Sequence, residues 1–575
     1  MQLNDTAMTA KVEEWLSPVF DSETKEKIQS LQKNNPEELK ESFYKNLEFG
    51  TGGMRGIMGV GTNRINKYTL GKSTQGLSNY LLKTFADEQP KAVIAYDCRH
   101  QSDTLAKVVA DVFSANGIKT YLFSDLRPTP ELSFAVKELD CHCGIVLTAS
   151  HNPPEYNGYK VYWQDGGQLV PPEDAEIIAE ITALQYEDIK FGANPDLIEY
   201  IDTTIDNAFI DKSVANGSFI ASAEAKKNTS IVFTSLHGTS ITAVPETLKR
   251  AGFTNVHIVE EQAKPDGNFP TVVSPNPEET EALDMALQLA KKVDADIVIG
   301  TDPDCDRLGI AVKNTEGELQ LLNGNQTMVV MTWFLLQHYK NKHGFKGNEY
   351  IASTIVSTPM MKNLADAFGV AYMEVLTGFK WIAKLIKDHP DKHFIGGGEE
   401  SFGYMVGDFV RDKDAVTATL LACEIVAYTQ ANGSSFYQEL LQLYTEHGFF
   451  KENLVSLVKR GIEGASEIKQ IMVDLRENPP TEFNGEKVVL IEDYQAGEAV
   501  NIQDHTTNKI DIPKSNVLIF YTDGGSKIAA RPSGTEPKIK FYISVQSEVA
   551  SVDEVPTVSD QLDQKIEAIK KDLNV

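Results

Sequence analysis

The sequence predicts an α/β protein with four domains, three of them related mixed α/β units and the last of α+β type. The chain has 575 residues, a length that suits about four domains of ordinary size. Apolar runs of strand length alternate with helical patterns through most of the chain, which predicts mostly parallel sheets. Near residue 455 this alternation stops. The predicted domains are residues 1–207, 208–322, 323–454 and 455–575.

Three rounds of alternating strands and helices define the first three domains. The weakly apolar stretch 192–228 predicts the first boundary. The three rounds have diverged too far for obvious self-similarity, so the repeat is inferred from the order of elements. The first round comprises strand 91–97, helix 103–116, strand 120–123, helix 130–139 and strand 144–147. The second comprises a strand from 231, a helix near 245–251, strand 256–259, helix 278–292 and a strand ending at 302. The third extends from 350 to 398.

The C-terminal domain has a different pattern, in which strands predominate and a polar insertion covers residues 495–513. Such an order predicts an α+β domain rather than another parallel unit. Its predicted elements are helix 467–475, strands 517–521 and 538–545, and a terminal helix from residue 558.

Composition argues against several classes of partner. The net charge of −28 repels nucleic acid and anionic membranes, so neither is expected to bind. No apolar run approaches the ~20 residues that span a bilayer, and the first residues lack the pattern of a signal peptide. Five scattered cysteines do not form a disulfide framework. We therefore expect a cytoplasmic protein. The sequence does not determine the oligomeric state, and a monomer or a dimer is expected.

A serine loop follows the predicted strand 144–147. Residues 148–154 read Thr-Ala-Ser-His-Asn-Pro-Pro, which places the Ser150 hydroxyl beside the His151 imidazole at a strand end. The two prolines disfavour helix immediately before them. Ligands of open α/β sheets bind beyond the carboxyl ends of the strands, so a reacting side chain belongs here. An ordinary strand-to-turn connection is the alternative interpretation of this loop.

An acidic loop follows the strand that ends at residue 302. Residues 302–307 read Asp-Pro-Asp-Cys-Asp-Arg, so Asp302, Asp304 and Asp306 alternate within a tight turn. Their mutual repulsion is costly unless a cation lies between them, and an oxygen cluster suits a hard ion such as Mg²⁺. A calcium loop of the EF-hand kind is excluded, because its sixth and twelfth positions would be Arg307 and Lys313. A solvated acidic turn is the remaining alternative.

Two further loops carry the chemistry of sugar and phosphate binding. Residues 396–403 read Gly-Gly-Gly-Glu-Glu-Ser-Phe-Gly, whose acids and serine could accept hydrogen bonds from the hydroxyls of a polyol. Residues 530–538 read Ala-Arg-Pro-Ser-Gly-Thr-Glu-Pro-Lys, which combines a guanidinium, two hydroxyls and glycine-freed amides, as a phosphate clamp requires. Neither loop alone identifies a function, whereas the order of all four loops along the chain is much more specific.

In this order and at about this spacing, the four loops resemble those of the α-D-phosphohexomutase superfamily, the phosphoglucomutases and phosphomannomutases. Residues 49–56, Phe-Gly-Thr-Gly-Gly-Met-Arg-Gly, also resemble the N-terminal active-site segment of that superfamily. The resemblance covers nearly the whole chain. It looks closest to the long-chain branch of phosphoglucomutases, phosphopentomutases and glucose-1,6-bisphosphate synthases. It implies four domains around a central cleft.

The resemblance also implies a role for each loop. Ser150 would carry a phosphoryl group and complete the metal site formed by Asp302, Asp304 and Asp306, with Mg²⁺ as the cofactor. Sugar hydroxyls would bind at Glu399 and Ser401. The phosphate that is not reacting would bind at a set of C-terminal residues, namely Arg531, Ser533, Gly534, Thr535 and Lys538.

Further residues are candidates for proton transfer or for holding the phosphoserine. His151, Lys160 and Lys380 are the candidates for proton transfer, although each lysine could instead make only an electrostatic contact to phosphate. Arg55 and Arg99 are expected to line the cleft, with a strand-end ion pair as the alternative for Arg99. His237 follows another predicted strand and either faces the cleft as a substrate-binding residue or is structural.

The implied activity is that of a phosphoglucomutase, an isomerase that interconverts glucose 1-phosphate and glucose 6-phosphate with glucose 1,6-bisphosphate as intermediate and activator. A phosphomannomutase, a phosphopentomutase or a bisphosphate synthase would use the same fold. A sugar-phosphate-binding protein without catalysis is a third hypothesis. The presence of Ser150 together with the acidic loop argues against that third hypothesis.

Overall fold

The computed structural model describes residues 2–50, 53–459, 461–533 and 538–575. Within these ranges the chain forms three mixed sheets followed by an antiparallel one, as the sequence predicts. Each mixed sheet joins parallel strands to an antiparallel extension. In the described part of the chain, no helix has both the length and the apolar character needed to cross a membrane.

The first sheet has the strand order β1-β2-β6-β5-β3-β4-β7. The pairs among β5, β3, β4 and β7 are parallel, and the pairs that join β5, β6, β2 and β1 are antiparallel. The strands are β1 Phe49–Gly50, β2 Gly53–Ile57, β3 Lys91–Tyr96, β4 Lys119–Phe123, β5 Cys143–Leu147, β6 Tyr156–Trp163 and β7 Ile198–Ile201. The helices are α1 Gln2–Trp15, α2 Ser22–Asn34, α3 Pro36–Phe43, α4 Lys67–Thr84, α5 Ser102–Ala115, α6 Thr129–Glu138 and α7 Glu173–Ala183.

The second sheet has the order β12-β11-β10-β8-β9, in which β10, β8 and β9 are parallel. Its strands are β8 Ile231–Thr234, β9 Val256–Ile258, β10 Ile297–Thr301, β11 Leu308–Lys313 and β12 Leu319–Leu322. The accompanying helices are α8 Thr203–Gly217, α9 Ala223–Asn228, α10 Val244–Arg250, α11 Glu260–Ala263 and α12 Asp284–Val293. Every residue of β10 is buried, as expected for a central strand covered on both faces.

The third sheet has the order β14-β13-β15-β16, with β14, β13 and β15 parallel. Its strands are β13 Glu349–Thr354, β14 Ala371–Val375, β15 His393–Gly398 and β16 Tyr404–Val406. Its helices are α13 Gly324–His343, α14 Met360–Phe368, α15 Lys380–Asp388, α16 Ala415–Ala431 and α17 Phe436–His447. The loops after β5, β10 and β15 carry the serine, aspartate and glutamate motifs.

The C-terminal sheet is antiparallel, with the order β17-β24-β23-β22-β19-β20-β21 and with β18 paired to β19. Its strands are β17 Phe449–Val458, β18 Glu482–Phe483, β19 Glu486–Asp493, β20 Glu498–Asn501, β21 Thr507–Lys509, β22 Leu518–Thr522, β23 Lys527–Pro532 and β24 Lys538–Ser547. Its helices are α18 Gly461–Glu477 and α19 Val555–Asp572. The segment between β23 and β24 carries the predicted phosphate clamp.

Some element predictions were wrong. The helix expected at 278–292 begins only at Asp284, because Asn276 accepts hydrogen bonds from the amides of Glu278 and Glu279 and holds a turn there. The polar insertion 495–513 contains β20 and β21. The predicted boundary at residue 207 lies within α8, and the one at 454 lies within β17. The four sets of domain limits remain predictions.

Candidate active site

Ser150 lies where the serine and aspartate loops meet. Its hydroxyl donates a 2.7 Å hydrogen bond to Asp302 Oδ2, and His151 Nδ1 lies 3.2 Å from the same Oγ. Ser150 has φ +51°, the left-handed region that non-glycine residues rarely adopt. The Ser150 backbone amide donates a 2.8 Å hydrogen bond to the Thr148 hydroxyl. A strained backbone that aims a buried hydroxyl at a carboxylate is typical of functional sites.

Asp302, Asp304 and Asp306 form a buried cluster whose carboxylate oxygens lie within 4.8 Å of one another. Asp302 Oδ1 accepts from the backbone amides of Asp306 and Arg307, at 2.9 Å each. Cys305, at φ +60°, is buried in the core. Burial, together with repulsion from Asp304 and Asp306, raises the pKa of Asp302 well above its ordinary value.

Two lysines balance the charge of this cluster. Lys160 Nζ donates to Asp304 Oδ2 at 2.7 Å and to Asp306 Oδ2 at 3.0 Å. Lys413 Nζ lies 3.2 Å from Asp306 Oδ2 and 3.4 Å from Asp412 Oδ1. Although burial lowers it, the two aspartates raise the pKa of Lys160 above its ordinary value. The buried carboxylates are therefore compensated by ammonium groups, as burial requires.

The cluster fits a hard divalent cation. Asp304 Oδ1 and Asp306 Oδ1 are buried and have no hydrogen-bond partner among the described residues. Carboxylate oxygens are the ligands that Mg²⁺ and Ca²⁺ prefer, and Mg²⁺ binds them at about 2.0–2.1 Å. Thr129 Oγ1 donates to Asp304 Oδ2 at 2.9 Å and steadies that carboxylate. The Ser150 hydroxyl is hydrogen-bonded to Asp302 and lies directly beside these carboxylate oxygens.

A cavity of about 540 Å³ opens next to His151. Strands of the first and the C-terminal sheets line it, together with Arg307 from the loop before β11 and Lys380 from the start of α15, as expected of a central cleft. Among the residues that the structure describes, cations predominate in the cavity wall. The cations are Arg55, Arg307, Lys380, Arg531, Lys538 and Lys540, and the carboxylates are Glu48 and Asp174. This wall is suited to a phosphorylated ligand, because several donors can share its charge.

The predicted phosphate clamp lies on this wall in part. Arg531, Ser533 and Lys538 line the cavity. Gly534 and Thr535 lie outside the described residues. Lys540 is a lining residue that sequence reasoning missed; it lies opposite Arg531 in the β23–β24 register. Alternation along a strand gave a signal for it, since Lys538 and Lys540 share a face.

The remaining predicted residues of the cavity differ in their surroundings. Arg55 NH1 donates weakly to Asn152 Oδ1 at 3.4 Å. Lys380 Nζ lies 5.3 Å from the centre of the Trp381 ring, and burial lowers the pKa of Lys380. Burial, with the charges of Arg307 and Arg55, lowers the pKa of His151 well below its ordinary value. A neutral imidazole therefore faces the Ser150 hydroxyl.

The glutamate loop lies beside the cavity rather than within its wall. Glu399 Oε1 accepts from the Gly378 amide at 2.8 Å, which joins this loop to the turn before Lys380. Ser401 lines a neighbouring cavity of about 230 Å³, together with Glu400. Lys540 lines both cavities and so connects them.

Two predicted positions are corrected by the structure. Arg99 does not line the cavity; its guanidinium lies behind the serine loop, where it pairs with Asp97 at 3.3 Å and donates to backbone carbonyls. His237 does not face the cleft either. Its Nδ1 lies 3.2 Å from the Lys264 carbonyl and its Nε2 lies 2.8 Å from Thr271 Oγ1. Both ring nitrogens are thus engaged by a loop of the same domain, an arrangement that favours the structural alternative for His237.

Comparison with known proteins identifies the family of the chain. The phosphoglucomutase/phosphomannomutase family models for α/β/α domains I, II and III match residues 46–188, 207–317 and 323–444. A phosphoglucomutase of Staphylococcus aureus is 41% identical over 514 residues, which cover 88% of this chain and 91% of that protein. A phosphoglucomutase of Staphylococcus epidermidis is 38% identical over 511 residues, covering 88% and 92%.

The fold is also found among solved structures. The open form of parafusin, a phosphoglucomutase from Paramecium, superposes with a TM-score of 0.66 over 92% of this chain and 96% of that one, at 18% identity. The chain belongs to the phosphoglucomutase/phosphomannomutase family, and thus to the α-D-phosphohexomutase superfamily of isomerases that its four loops resemble.

Proposed function

We propose that this chain is a phosphoglucomutase that interconverts glucose 1-phosphate and glucose 6-phosphate through a phosphorylated Ser150. One observation carries the proposal: the Ser150 hydroxyl donates to Asp302 at 2.7 Å, beside a cationic cavity large enough for a sugar phosphate. The relatives named phosphoglucomutase support glucose as the sugar. Phosphomannomutase, phosphopentomutase and bisphosphate synthase activities are the alternatives within the same mechanism.

The reaction moves one phosphoryl group in each direction. A sugar hydroxyl attacks the phosphorus on Ser150, a bond from the sugar oxygen to phosphorus forms, and the bond from phosphorus to Oγ breaks. The sugar hydroxyl loses its proton in this step and the leaving Oγ gains one. The glucose 1,6-bisphosphate so formed turns over, and its other phosphoryl group returns to Ser150. Phosphoryl transfer of this kind depends on in-line placement and charge neutralisation. Arg55 and Arg307 on the cavity wall supply that charge.

Proton transfer has three candidates, His151, Lys160 and Lys380, whose surroundings differ. His151 lies 3.2 Å from Ser150 Oγ and Lys160 contacts the carboxylates beside it, so both belong to the reacting cluster. Lys380 lies on the cavity wall over Trp381, where contact with phosphate is its proposed role. Glu399 and Ser401 are proposed to bind sugar hydroxyls. Arg531, Ser533, Gly534, Thr535 and Lys538 are proposed to bind the phosphate that is not reacting.

Asp302, Asp304 and Asp306 would hold Mg²⁺ together with the phosphorylated Ser150. When bound, the ion draws negative charge from the transferring phosphoryl group. Trace glucose 1,6-bisphosphate is the proposed activator, because it phosphorylates Ser150 in any enzyme that has lost its phosphate. We also propose a cytoplasmic location and a monomeric or dimeric state, without nucleic-acid or membrane partners.

A coupled assay tests the proposal. Glucose 6-phosphate formed from glucose 1-phosphate is followed with Mg²⁺ and a trace of glucose 1,6-bisphosphate, beside parallel reactions that start from mannose 1-phosphate and ribose 1-phosphate. Fast glucose turnover stimulated by the bisphosphate is the expected result. Faster mannose or ribose turnover would keep the mechanism and change the substrate. Absence of turnover with all three sugar phosphates would favour a sugar-phosphate-binding protein without catalysis.

A serine substitution tests the nucleophile itself. Ser150→Ala removes the attacked oxygen but leaves the cationic wall, so turnover should fall by at least about 10⁴-fold while sugar-phosphate binding persists. Intact mass after incubation with glucose 1,6-bisphosphate should show one added phosphoryl group in the unaltered enzyme and none in the variant. Ser213→Ala is the matched control, because Ser213 is also buried but lies on α8. Full activity of Ser150→Ala would exclude the phosphoserine mechanism.

A further inference from the structure

The two terminal nitrogens of the Arg99 guanidinium donate to the backbone around the nucleophile. NH1 donates to the carbonyls of Pro153 at 2.8 Å and Tyr156 at 3.0 Å. NH2 donates to the carbonyl of Ser150 at 2.6 Å and to that of Asn152. The side chain is fully buried, and its Nε faces Asp97 Oδ2 at 3.3 Å. Four carbonyls from one short loop thus converge on one planar group.

The loop has few means of keeping this shape by itself. Its backbone is irregular, and Pro153 and Pro154 have no amide hydrogen to donate. Within the loop, the Asn152 amide donates to the Ala149 carbonyl and the Tyr156 amide to the Pro153 carbonyl, at 3.1 Å each, and the Ser150 amide donates to the Thr148 hydroxyl at 2.8 Å. Ser150 nevertheless holds φ +51°, a conformation that persists only where the surroundings enforce it. Arg99 binds the carbonyl of that same residue and is therefore placed to enforce it.

A loop of the second domain packs against Arg99. The centre of the Phe269 ring lies 5.0 Å from the Arg99 guanidinium carbon. At Gly267 a Cβ atom would come within 2.8 Å of the Cys98 carbonyl oxygen and the His100 amide, so only glycine allows this approach. His100 Nε2 also lies 2.9 Å from Asn268 Oδ1. The two domains are therefore in tight contact over Arg99.

We propose that Arg99 is a positioning residue that holds Ser150 in line for transfer, and that Phe269 of the second domain keeps Arg99 in place. The nucleophile's geometry then depends on contact between the domain that carries the serine and the domain that carries the aspartates. This inference rests on the proposed role of Ser150 as the phosphorylated residue. Arg99 contacts neither cavity, so it acts through the loop and not on the substrate.

Arg99→Lys tests whether the guanidinium holds the serine loop, while preserving the positive charge beside Asp97. An ammonium has three donors on one atom and cannot span four carbonyls as a planar fork does. We expect kcat to fall roughly 10²-fold, the size of effect that small misplacements cause, with KM for glucose 1-phosphate nearly unchanged. Phosphorylation of Ser150 by glucose 1,6-bisphosphate, followed by intact mass, should slow in parallel.

Arg127→Lys is the matched control. Arg127 is a buried arginine of the same domain that pairs with Asp206 at 2.8 and 2.9 Å and lies 5.7 Å from the Phe123 ring centre. It should lose stability without losing kcat. If both variants lost kcat in proportion to stability, Arg99 would be merely structural and the proposal would be overturned.

Phe269→Leu supplies a second variant that leaves the arginine itself intact. It removes the ring beneath the guanidinium but keeps an apolar side chain, and kcat should fall by roughly tenfold with unchanged KM. Unaltered kcat in both Arg99→Lys and Phe269→Leu would overturn the proposal.

Hydrogen exchange tests the positioning role of Arg99 independently of the proposed function. In the enzyme without phosphate, the amides of residues 148–156 should exchange faster in both variants than in the unaltered chain. Faster exchange in a chain that shows no mutase activity would support the positioning role of Arg99 and contradict the proposed function. Unchanged exchange in an active mutase would contradict the positioning role and support the function.

Discussion

The stability of the C-terminal domain should depend on pH through Glu452. This residue lies on β17 opposite Ser544 of β24, whose hydroxyl lies 3.4 Å from Glu452 Oε1. Burial raises the pKa of the Glu452 carboxyl from 4.5 to about 7. Hydrogen bonds from Thr358 and Ser544, and the positive charge of Lys527, offset only part of that effect. The folded protein therefore holds this proton more tightly than the unfolded chain does.

The sign and size of the effect follow from linkage. Because the pKa is raised on folding, the contribution of Glu452 to stability is fully present below about pH 4.5 and is lost as the pH rises to about 7. At 1.36 kcal/mol per pH unit the loss is about 3 kcal/mol. The side chain is partly exposed, so solvent screening reduces this to about 2 kcal/mol. Glu452→Gln mimics the neutral acid at every pH and should remove the loss.

Urea unfolding from about pH 4 to pH 9 measures this difference. The variant should match the unaltered protein near pH 4 and exceed its free energy of unfolding by about 2 kcal/mol above pH 8. Glu446→Gln on α17 is the control, because the Glu446 side chain is 51% exposed and its charge is already solvated. A difference that stays constant across the whole range would refute the reasoning, since a change in packing has no reason to follow pH.

Three further predictions concern charged groups. Asp306→Asn removes the carboxylate that the ammonium groups of Lys160 and Lys413 share at 3.0 and 3.2 Å. It should cost about 3–5 kcal/mol in thermal unfolding and lower kcat by about 10²–10³-fold, and a chelator should abolish the turnover of the unaltered enzyme. Lys226→Met leaves the buried Glu424 without the cation that lies 2.8 Å away, so unfolding should become easier by about 3 kcal/mol while KM stays unchanged. Lys380→Met should raise KM for glucose 1-phosphate about tenfold, equivalent to 1.4 kcal/mol of lost phosphate contact, with phosphorylation of Ser150 unchanged by mass.

The buried strands and the loops that follow them could be predicted because their signal is local. Runs of apolar residues define β5 and β10, and the polar residues directly after each run include Ser150 and Asp302. In contrast, β23 was missed, although it carries Arg531. Its strand sits between a turn and the clamp in a segment without a long apolar run. The three N-terminal helices were also missed, since α1 has almost no apolar face.

The two corrected residues show what sequence could not determine. Arg99 and His237 each follow a strand, as catalytic residues of this fold class do, but the direction of each side chain is set by backbone and tertiary contacts. His237 has φ +62°, which turns its ring toward Lys264 and Thr271. Lys413 was not predicted, because it is distant in sequence from Asp306. It reaches Asp306 only through the packing of the third domain on the second.

The placement of charge reconciles an acidic protein with an anionic ligand. A net charge of −28 repels a sugar phosphate at long range, but salt screens exposed charges beyond about 8–10 Å. Inside the cavity the described cations outnumber the carboxylates, and they are too close to the ligand to be screened. Behind that wall, Lys160 and Lys413 neutralise the aspartates that would otherwise oppose a phosphoserine. Affinity should therefore depend on the few cations of the wall and only weakly on the charge of the remaining surface.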